Sequence, residues 1–219
     1  RLFLSFSIVA GSASLGHAEV FEGTMESQII VPSQVNLRAK TFLKGHMVRS
    51  EIPMQVFNST TTAYIITDID KHQQINIWPD RKLAVVEPWR PKSLKGMPIP
   101  DFVKTGNKDT ILGYPVEQFV IRAPDGQLME AWATTQLDIA LPMRQMYSMG
   151  LPQGEGWEDI EYFKKGYVSL RTVHKAANGT VKFQIEVKKV ERKALASDLF
   201  TVPPDYQRTD QSSSGPGSR

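Results

Sequence analysis

The sequence predicts a mainly β (α+β) protein built on one meandering antiparallel sheet, and three observations lead to this expectation. Short runs rich in β-branched and aromatic residues recur along the chain and are separated by Gly, Pro, Asn and Asp. Most connections between the runs are too short to hold the helix of a β-α-β crossover. Residues 181–188 alternate apolar and polar side chains without exception, which is typical of a strand with one buried face.

The predicted strands follow one another from residue 20 to residue 188. Asn178-Gly179 favours a tight hairpin turn before the last strand, and Pro124-Asp125-Gly126 favours a turn between two earlier ones. In chain order, the strands are Val20–Val31, Asn36–Leu43, His46–Ile52, Ala63–Ile69, Gln74–Trp78, Lys82–Glu87, Val116–Ile121, Leu128–Ala133, Tyr167–Val173 and Val181–Lys188.

Several predicted strands are apolar on both faces, as in Tyr64-Ile65-Ile66 and Phe119-Val120-Ile121. A sheet with two apolar faces must be covered on each of them. The proline-rich residues 87–104 and the mostly apolar residues 136–150 are the two candidate covers. In the second, Pro142 starts or kinks a short helical stretch, and the methionines suit either a lid that repacks or a fixed plug.

The two ends of the chain differ from the body. Residues 2–15 are apolar or small and carry no charge, and small residues then lead to Ala18, so we expect a signal peptide over residues 1–18 that is cleaved after Ala18. The expected product is periplasmic or secreted. Residues 19–208 then form a single domain, and the Ser/Gly-rich residues 209–219 form a flexible tail.

Composition and charge exclude several classes of function. The 219 residues include 26 Lys and Arg and 23 Asp and Glu, a net charge of +3. The basic residues are scattered among acids, so no nucleic-acid partner is expected. The chain has no cysteine, which excludes disulfides, zinc-thiolate sites and cysteine nucleophiles within it.

No sequence pattern predicts an enzyme or a bound cofactor. The chain lacks the G-x-S-x-G, Walker and H-E-x-x-H motifs. Asp68, Asp70 and His72 would share one face of an extended strand and could approach a metal ion. Because neither a glycine-turned loop nor a further ligand cluster follows them, we interpret this stretch as a polar turn and expect no metal site.

Three stretches together resemble a known protein family. They are Thr105-Gly106-Asn107-Lys108-Asp109-Thr110-Ile111-Leu112-Gly113-Tyr114 with the later Glu130-Ala131-Trp132, then Leu43–Arg49 with Trp78–Lys82, and the ending Asp198–Tyr206. In this order and spacing, residues 19–206 resemble a bacterial secreted family of domains of unknown function. That family is similar to the outer-membrane lipoprotein-sorting (LolA/LppX-like) superfamily.

The resemblance implies a half-open β-barrel, in which a curved antiparallel sheet wraps round a short helix or loop lid. In characterised relatives, the apolar concavity of this fold receives acyl chains, and no catalytic site is implied. We therefore expect a periplasmic, non-enzymatic binding or carrier protein for an acylated or hydrophobic ligand, lipid or lipoprotein. It would act as a monomer with transient membrane contact. Each buried CH₂ of an acyl chain contributes about 0.8 kcal/mol.

Two sets of side chains are the candidate sites. Six are expected to face the hollow between sheet and lid: Ile65, Ile77, Phe119, Trp132, Met143 and Met146. An acidic stretch is expected to form a rim that meets a partner, through Trp157, Glu158 and Asp159. The alternative is an envelope protein-interaction or stress-sensing module, with a closed core and no lipid ligand.

Overall fold

Twelve β-strands form one sheet in the computed structural model, which describes residues 20–32, 36–56, 59–89, 100–139 and 160–211. One α-helix, α1, covers Glu161–Lys164, and two 3₁₀ helices cover Pro79–Arg81 and Ser197–Phe200. The strands are β1 (Gly23–Ile30), β2 (Leu37–Lys44), β3 (Met47–Val56), β4 (Ser59–Asp68), β5 (Gln73–Trp78), β6 (Leu83–Pro88), β7 (Asp101–Ile111), β8 (Tyr114–Arg122), β9 (Leu128–Thr134), β10 (Val168–Lys175), β11 (Val181–Arg192) and β12 (Gln207–Asp210).

The strand order is β12-β6-β5-β4-β3-β2-β1-β11-β10-β9-β8-β7. Every pair is antiparallel except β12 with β6, which is parallel. The sheet is not closed into a barrel: β7 and β12 form its two edges. The predicted fold class, a mainly β chain with one open antiparallel sheet, is confirmed.

The predicted hairpin between β10 and β11 is confirmed, and its turn shows why the sequence favours it. Gly179 has a φ of 84°, a left-handed conformation that glycine adopts without steric cost. The backbone N–H of Thr180 donates to the side-chain oxygen of Asn178 at 3.0 Å. The turn at residues 124–126 is also present, with the N–H of Gly126 donating to the carbonyl oxygen of Ala123 at 2.9 Å.

Two strands were not expected from the sequence, and both are edge strands. β7 is exposed along most of its length, so it shows no alternation, and a register shift between Lys104 and Lys108 interrupts its pairing with β8. β12 is exposed throughout and includes Thr209 and Asp210, which we had assigned to the flexible tail. That tail boundary was wrong, because parallel pairing with β6 orders these polar residues.

The largest apolar cluster closes the end of the sheet at which β1 begins and β9 ends. Leu137 and Ile139, which follow β9, are 1% and 0% exposed, and they share this cluster with Val48 of β3 and Val116 of β8. Six strand spacings separate β3 from β8, which is about 29 Å in a flat sheet. The sheet therefore curves round the cluster.

Two further clusters lie under short covering segments. Below α1, the buried Tyr162 and Phe163 pack on Phe119, Ile121 and neighbours from β8 and β9. At the other half of the sheet, residues 195–206, which we call the C-terminal segment, cover β4, β5 and β6 with Leu195 and Phe200. Both covers belong to the chain itself, so these parts of the apolar surface are filled.

Side chains from the sheet hold the C-terminal segment in place. The Arg49 guanidinium lies 4.3 Å from the centre of the Tyr64 ring and donates to the carbonyl oxygen of Leu199 at 2.9 Å. Lys44 Nζ donates to the carbonyl oxygen of Leu195. A cation over an aromatic face that also donates a hydrogen bond fixes direction as well as distance.

A polar cluster joins β7, β8 and the residue that follows α1. Lys104 Nζ lies 2.8 Å from Glu117 Oε2, and the Tyr167 hydroxyl donates to the same carboxylate. The hydrogen bonds from Lys104 and Tyr167 lower the pKa of the Glu117 carboxyl below its ordinary value of 4.5. The bond to Glu117 raises the pKa of Lys104 above 10.5, so both groups stay ionised at neutral pH.

We expect Phe200→Ala to lower the free energy of unfolding by about 3–5 kcal/mol, because it leaves a cavity under the C-terminal segment. Urea denaturation followed by circular dichroism measures the change. Val103→Ala, at a residue that is 46% exposed on β7, is the control and should cost less than about 1 kcal/mol. Equal costs for the two variants would contradict a core role for Phe200.

Glu117 predicts a specific dependence of stability on pH. Because its pKa is lowered in the folded state, its contribution is complete above pH 4.5 and is lost as the pH falls through the folded-state value. Glu117→Gln should therefore lose less stability than the wild type between neutral pH and acid, as measured by urea denaturation at several pH values. Tyr167→Phe should reduce the dependence in part. An unchanged acid profile in Glu117→Gln would rule out this coupling.

Candidate ligand-binding site

The strand register separates the four predicted cavity residues that the structure describes. Ile77 pairs with Tyr64 across β4 and β5, so the adjacent Ile65 lies on the opposite face of the sheet. Phe119 pairs with Ala131 across β8 and β9, so the adjacent Trp132 is likewise on the opposite face. The expectation that all four line one hollow was wrong, because strand neighbours point to opposite faces.

Ile77 and Phe119 are covered by the protein itself. Ile77 is 1% exposed and belongs to the cluster under the C-terminal segment. The Phe119 ring packs edge-on against Tyr162 at 5.0 Å and against Tyr167 at 4.7 Å between ring centroids. Neither side chain is open to a ligand in this arrangement.

Trp132 is half-buried beside charged groups. The Arg171 guanidinium lies 5.0 Å from the centre of its ring, and Arg171 also lies 3.7 Å from an Asp109 carboxylate oxygen. Trp132 also packs against the apolar cluster that contains Leu137 and Ile139, so contacts within the protein account for its position. The remaining predicted site residues lie outside the described residues: Met143, Met146, Trp157, Glu158 and Asp159.

Ile65 lies on a face with a different character. Met25, Thr41, Ser50 and Ile65 are successive cross-strand partners on β1 to β4 and therefore share one face. We call this the inner face, because its Met25 belongs to the cluster round which the sheet curves. Most of its other side chains on these strands are small: Ser27, Ala39, Thr41, Ser50, Ala63 and Thr67.

These small side chains contribute little volume of their own to the inner face. Ser27 and Ala63 are each 6% exposed and Thr67 is 2% exposed, so they lie below the surface. Eight strands enclose a volume that side chains just fill, and this curved sheet has twelve. Serine, alanine and threonine contribute little volume to such an interior.

An open cavity lies on the other face of the same strands. Its volume is about 660 Å³, and we call it the charged cavity. Its described lining residues on this face are Glu26, Gln28, Arg38, Lys40, Glu51, Pro53, Thr62 and Lys189, together with Lys188. Ser27 and Ala39, whose side chains point to the inner face, also border it. No sequence motif predicted this cavity, although the doubled lysine at 188–189 breaks the alternation of β11 and indicates irregular pairing.

The pair formed by Lys104 and Glu117 is not suited to proton transfer at neutral pH. The pKa values of Glu117 and Lys104 are shifted away from neutrality, whereas a general acid or base needs a pKa near the working pH. A cavity of about 180 Å³ lies beside Glu117 and Tyr167, but their hydrogen bond occupies both side chains.

Neither a metal cluster nor a membrane-spanning helix occurs within the described ranges. His46 Nδ1 lies 2.7 Å from Asp70, and Asp68 accepts a hydrogen bond from Lys71 at 2.7 Å. No group of three or more metal-ligating side chains is assembled among these residues. No helix in this part of the chain has the length and apolar character to cross a membrane.

Solved structures with a similar fold are distant in sequence. An uncharacterized conserved protein from Thermus thermophilus has a TM-score of 0.54 and 14% identity, covering 87% of this chain and 91% of its own. PNGF-II has a TM-score of 0.51 and 17% identity over 89% of this chain, which spans only 31% of PNGF-II. A putative outer membrane lipoprotein-sorting protein domain from Vibrio parahaemolyticus has a TM-score of 0.34 and 11% identity, covering 82% and 89%.

The first two similarities, with TM-scores above 0.5, concern the fold alone, since both identities are below 25%. No curated protein is significantly similar to the chain. Membership of a family of domains of unknown function, which the sequence motifs predicted, is confirmed. Residues 21–206 match the sequence model of the family described as domain of unknown function DUF4412, and the chain belongs to this family.

Proposed function

We propose that the protein is a non-enzymatic binding or carrier protein of the bacterial envelope that holds an acylated or hydrophobic ligand on the inner face. The observation that carries this proposal is the row of small side chains on β1 to β4 inside a curved, unclosed sheet. The apolar cluster with Leu137 and Ile139 fills one end of the sheet. Next to this cluster, Ser50 and Ala63 contribute only small side chains to the inner face.

The physical chemistry of this face suits an acyl chain. Ile65 and the methyl groups of Ala63 and Thr67 offer apolar contact, and small hydroxyl groups can turn to neighbouring backbone carbonyls. Burial of six methylenes contributes about 5 kcal/mol before the cost of association. The open edges of the sheet let a long ligand enter without unfolding the strands. The expected signal peptide fits a function outside the cytoplasm.

A second candidate function is an envelope protein-interaction module without a lipid ligand. The filled clusters under α1 and under the C-terminal segment favour it, because both consume apolar surface that a carrier could expose. In that case Trp157, Glu158 and Asp159 remain the predicted contact with a protein partner. Their substitution should abolish capture of the partner and leave the lipid content unchanged.

The carrier proposal predicts that Ser50→Trp displaces the ligand, because an indole on the inner face would take the volume that the small Ser50 side chain leaves to it. Native mass spectrometry of gently purified protein should show bound lipid in the wild type and little in the variant. The affinity for a fluorescent acyl probe should fall at least about tenfold, a loss of about 1.4 kcal/mol. Thermal melting reports whether the variant is folded.

Gln184→Trp is the matched control. Gln184 pairs with Ile30 across β1 and β11, five residues along β1 from Met25, so it lies on the opposite face. This variant should keep both the lipid and the probe affinity. A wild type that is consistently empty and binds no acyl probe would contradict the proposal and favour the interaction module.

A further inference from the structure

The charged cavity is built on the face opposite to the inner face. Lys40, Glu26 and Lys189 are successive cross-strand partners on β2, β1 and β11, so their side chains lie side by side on this face. Arg38 and Gln28 form the next rung, two residues further along β2 and β1. The two rungs together place charged and amide groups across three neighbouring strands.

A β-bulge aims two consecutive lysines into the cavity. In the pairing of β1 with β11, Glu26 is opposite Lys189 and Ser27 is opposite Val187, so Lys188 is an extra residue on β11. In a regular strand, neighbours point to opposite faces, yet both Lys188 and Lys189 line this cavity. Bulges of this kind redirect side chains and are enriched beside functional sites.

Among the described residues, the charges around the cavity are paired except for one. Four ion pairs of these residues surround the cavity, at the following N···O distances: Lys40 with Glu26 (3.2 Å), Arg49 with Glu51 (2.9 Å), Lys188 with Glu186 (2.5 Å) and Lys189 with Glu191 (2.6 Å). Arg38 is exposed and has no ion pair with any described residue. The acids that line the cavity are thus neutralised, and one guanidinium is left to meet an external anion.

We propose that the charged cavity binds a phosphate ester, with the phosphate on Arg38. The planar guanidinium offers paired N–H donors that match phosphate oxygens, and the Gln28 amide lies on the same rung. Each neighbouring lysine is held by a carboxylate, so the Arg38 guanidinium carries the unpaired positive charge of the described lining. A volume of about 660 Å³ exceeds the size of a phosphate alone, so it also accommodates the alcohol part of the ester.

This site is independent of the carrier proposal, because it lies on the other face of the sheet and uses charge instead of apolar area. Its ligand could be a soluble phosphate ester or the headgroup of an anionic lipid, and both share the same chemistry at Arg38. Substitution of Ser50 on the inner face should leave phosphate binding unchanged, so the two proposals fail separately.

The test is a titration of the ¹⁵N-labelled protein with sn-glycerol 3-phosphate at low salt, followed by NMR. Saturable shifts are expected at the amides of Gln28, Arg38 and Lys188, and added salt should weaken the binding. Arg38→Gln should raise the dissociation constant at least about tenfold, as expected for a lost charge-assisted hydrogen bond. Glycerol, which lacks the phosphate, should cause no saturable shift.

Arg122→Gln is the matched control, because Arg122 is an exposed strand arginine that likewise has no ion pair with a described residue. The Arg122→Gln variant should bind glycerol 3-phosphate like the wild type.

A second experiment measures how much protein sediments with phosphatidylglycerol vesicles and with phosphatidylcholine vesicles. If the protein sediments with the phosphatidylglycerol vesicles alone, and Arg38→Gln abolishes this, the ligand is a lipid headgroup. If the protein binds glycerol 3-phosphate but sediments with neither kind of vesicle, the ligand is a soluble ester. Absence of binding in both experiments, or equal weakening in both variants, would overturn the proposal.

Discussion

The pairing of β1 with β11 is the constraint on which the rest of the structure depends. It joins a seven-stranded half, β12 to β1, to a five-stranded half, β11 to β7, into one sheet. The backbones of β1 and β11 lie close together where their pairing begins. A Cβ on Gly23, whose φ is 156°, would lie 1.9 Å from the carbonyl oxygen of Glu191. Only glycine fits there. The same pairing contains the bulge at Lys188, so the junction of the halves also shapes the charged cavity.

Alternation along the strands gives the two faces of the central sheet different chemistry. On β1, Met25 and Ser27 point to the inner face, whereas Glu26 and Gln28 point to the charged cavity. On β2, Ala39 and Thr41 alternate with Arg38 and Lys40 in the same way. Apolar or small side chains and charged side chains are therefore separated by the thickness of one sheet. The C-terminal segment covers the outer half of the charged face, on β4 to β6, and leaves the cavity between β11 and β4 open.

The strands and turns that rest on local chemistry were predictable. The alternation in residues 181–188 and the Asn178-Gly179 turn predicted the β10–β11 hairpin because both depend on neighbouring residues only. β7 was missed, since an edge strand that is exposed on both faces needs no alternation. The face of the sheet on which each candidate site residue lies was harder to predict. Ile65 and Ile77 are both apolar strand residues, and their assignment to opposite faces depends on register, which a shift of one residue inverts.

The sequence by itself determined that the chain is mainly β, that it carries no cysteine chemistry, and that it belongs to its family, because these follow from composition, periodicity and ordered motifs. Only the tertiary structure decided which strands are neighbours, which face each side chain occupies, and that Arg38 and Lys188 line one cavity. The physical reason is that backbone hydrogen bonds between strands are nearly independent of side-chain identity. Long-range pairing and its bulges are therefore settled by the packing of the whole sheet.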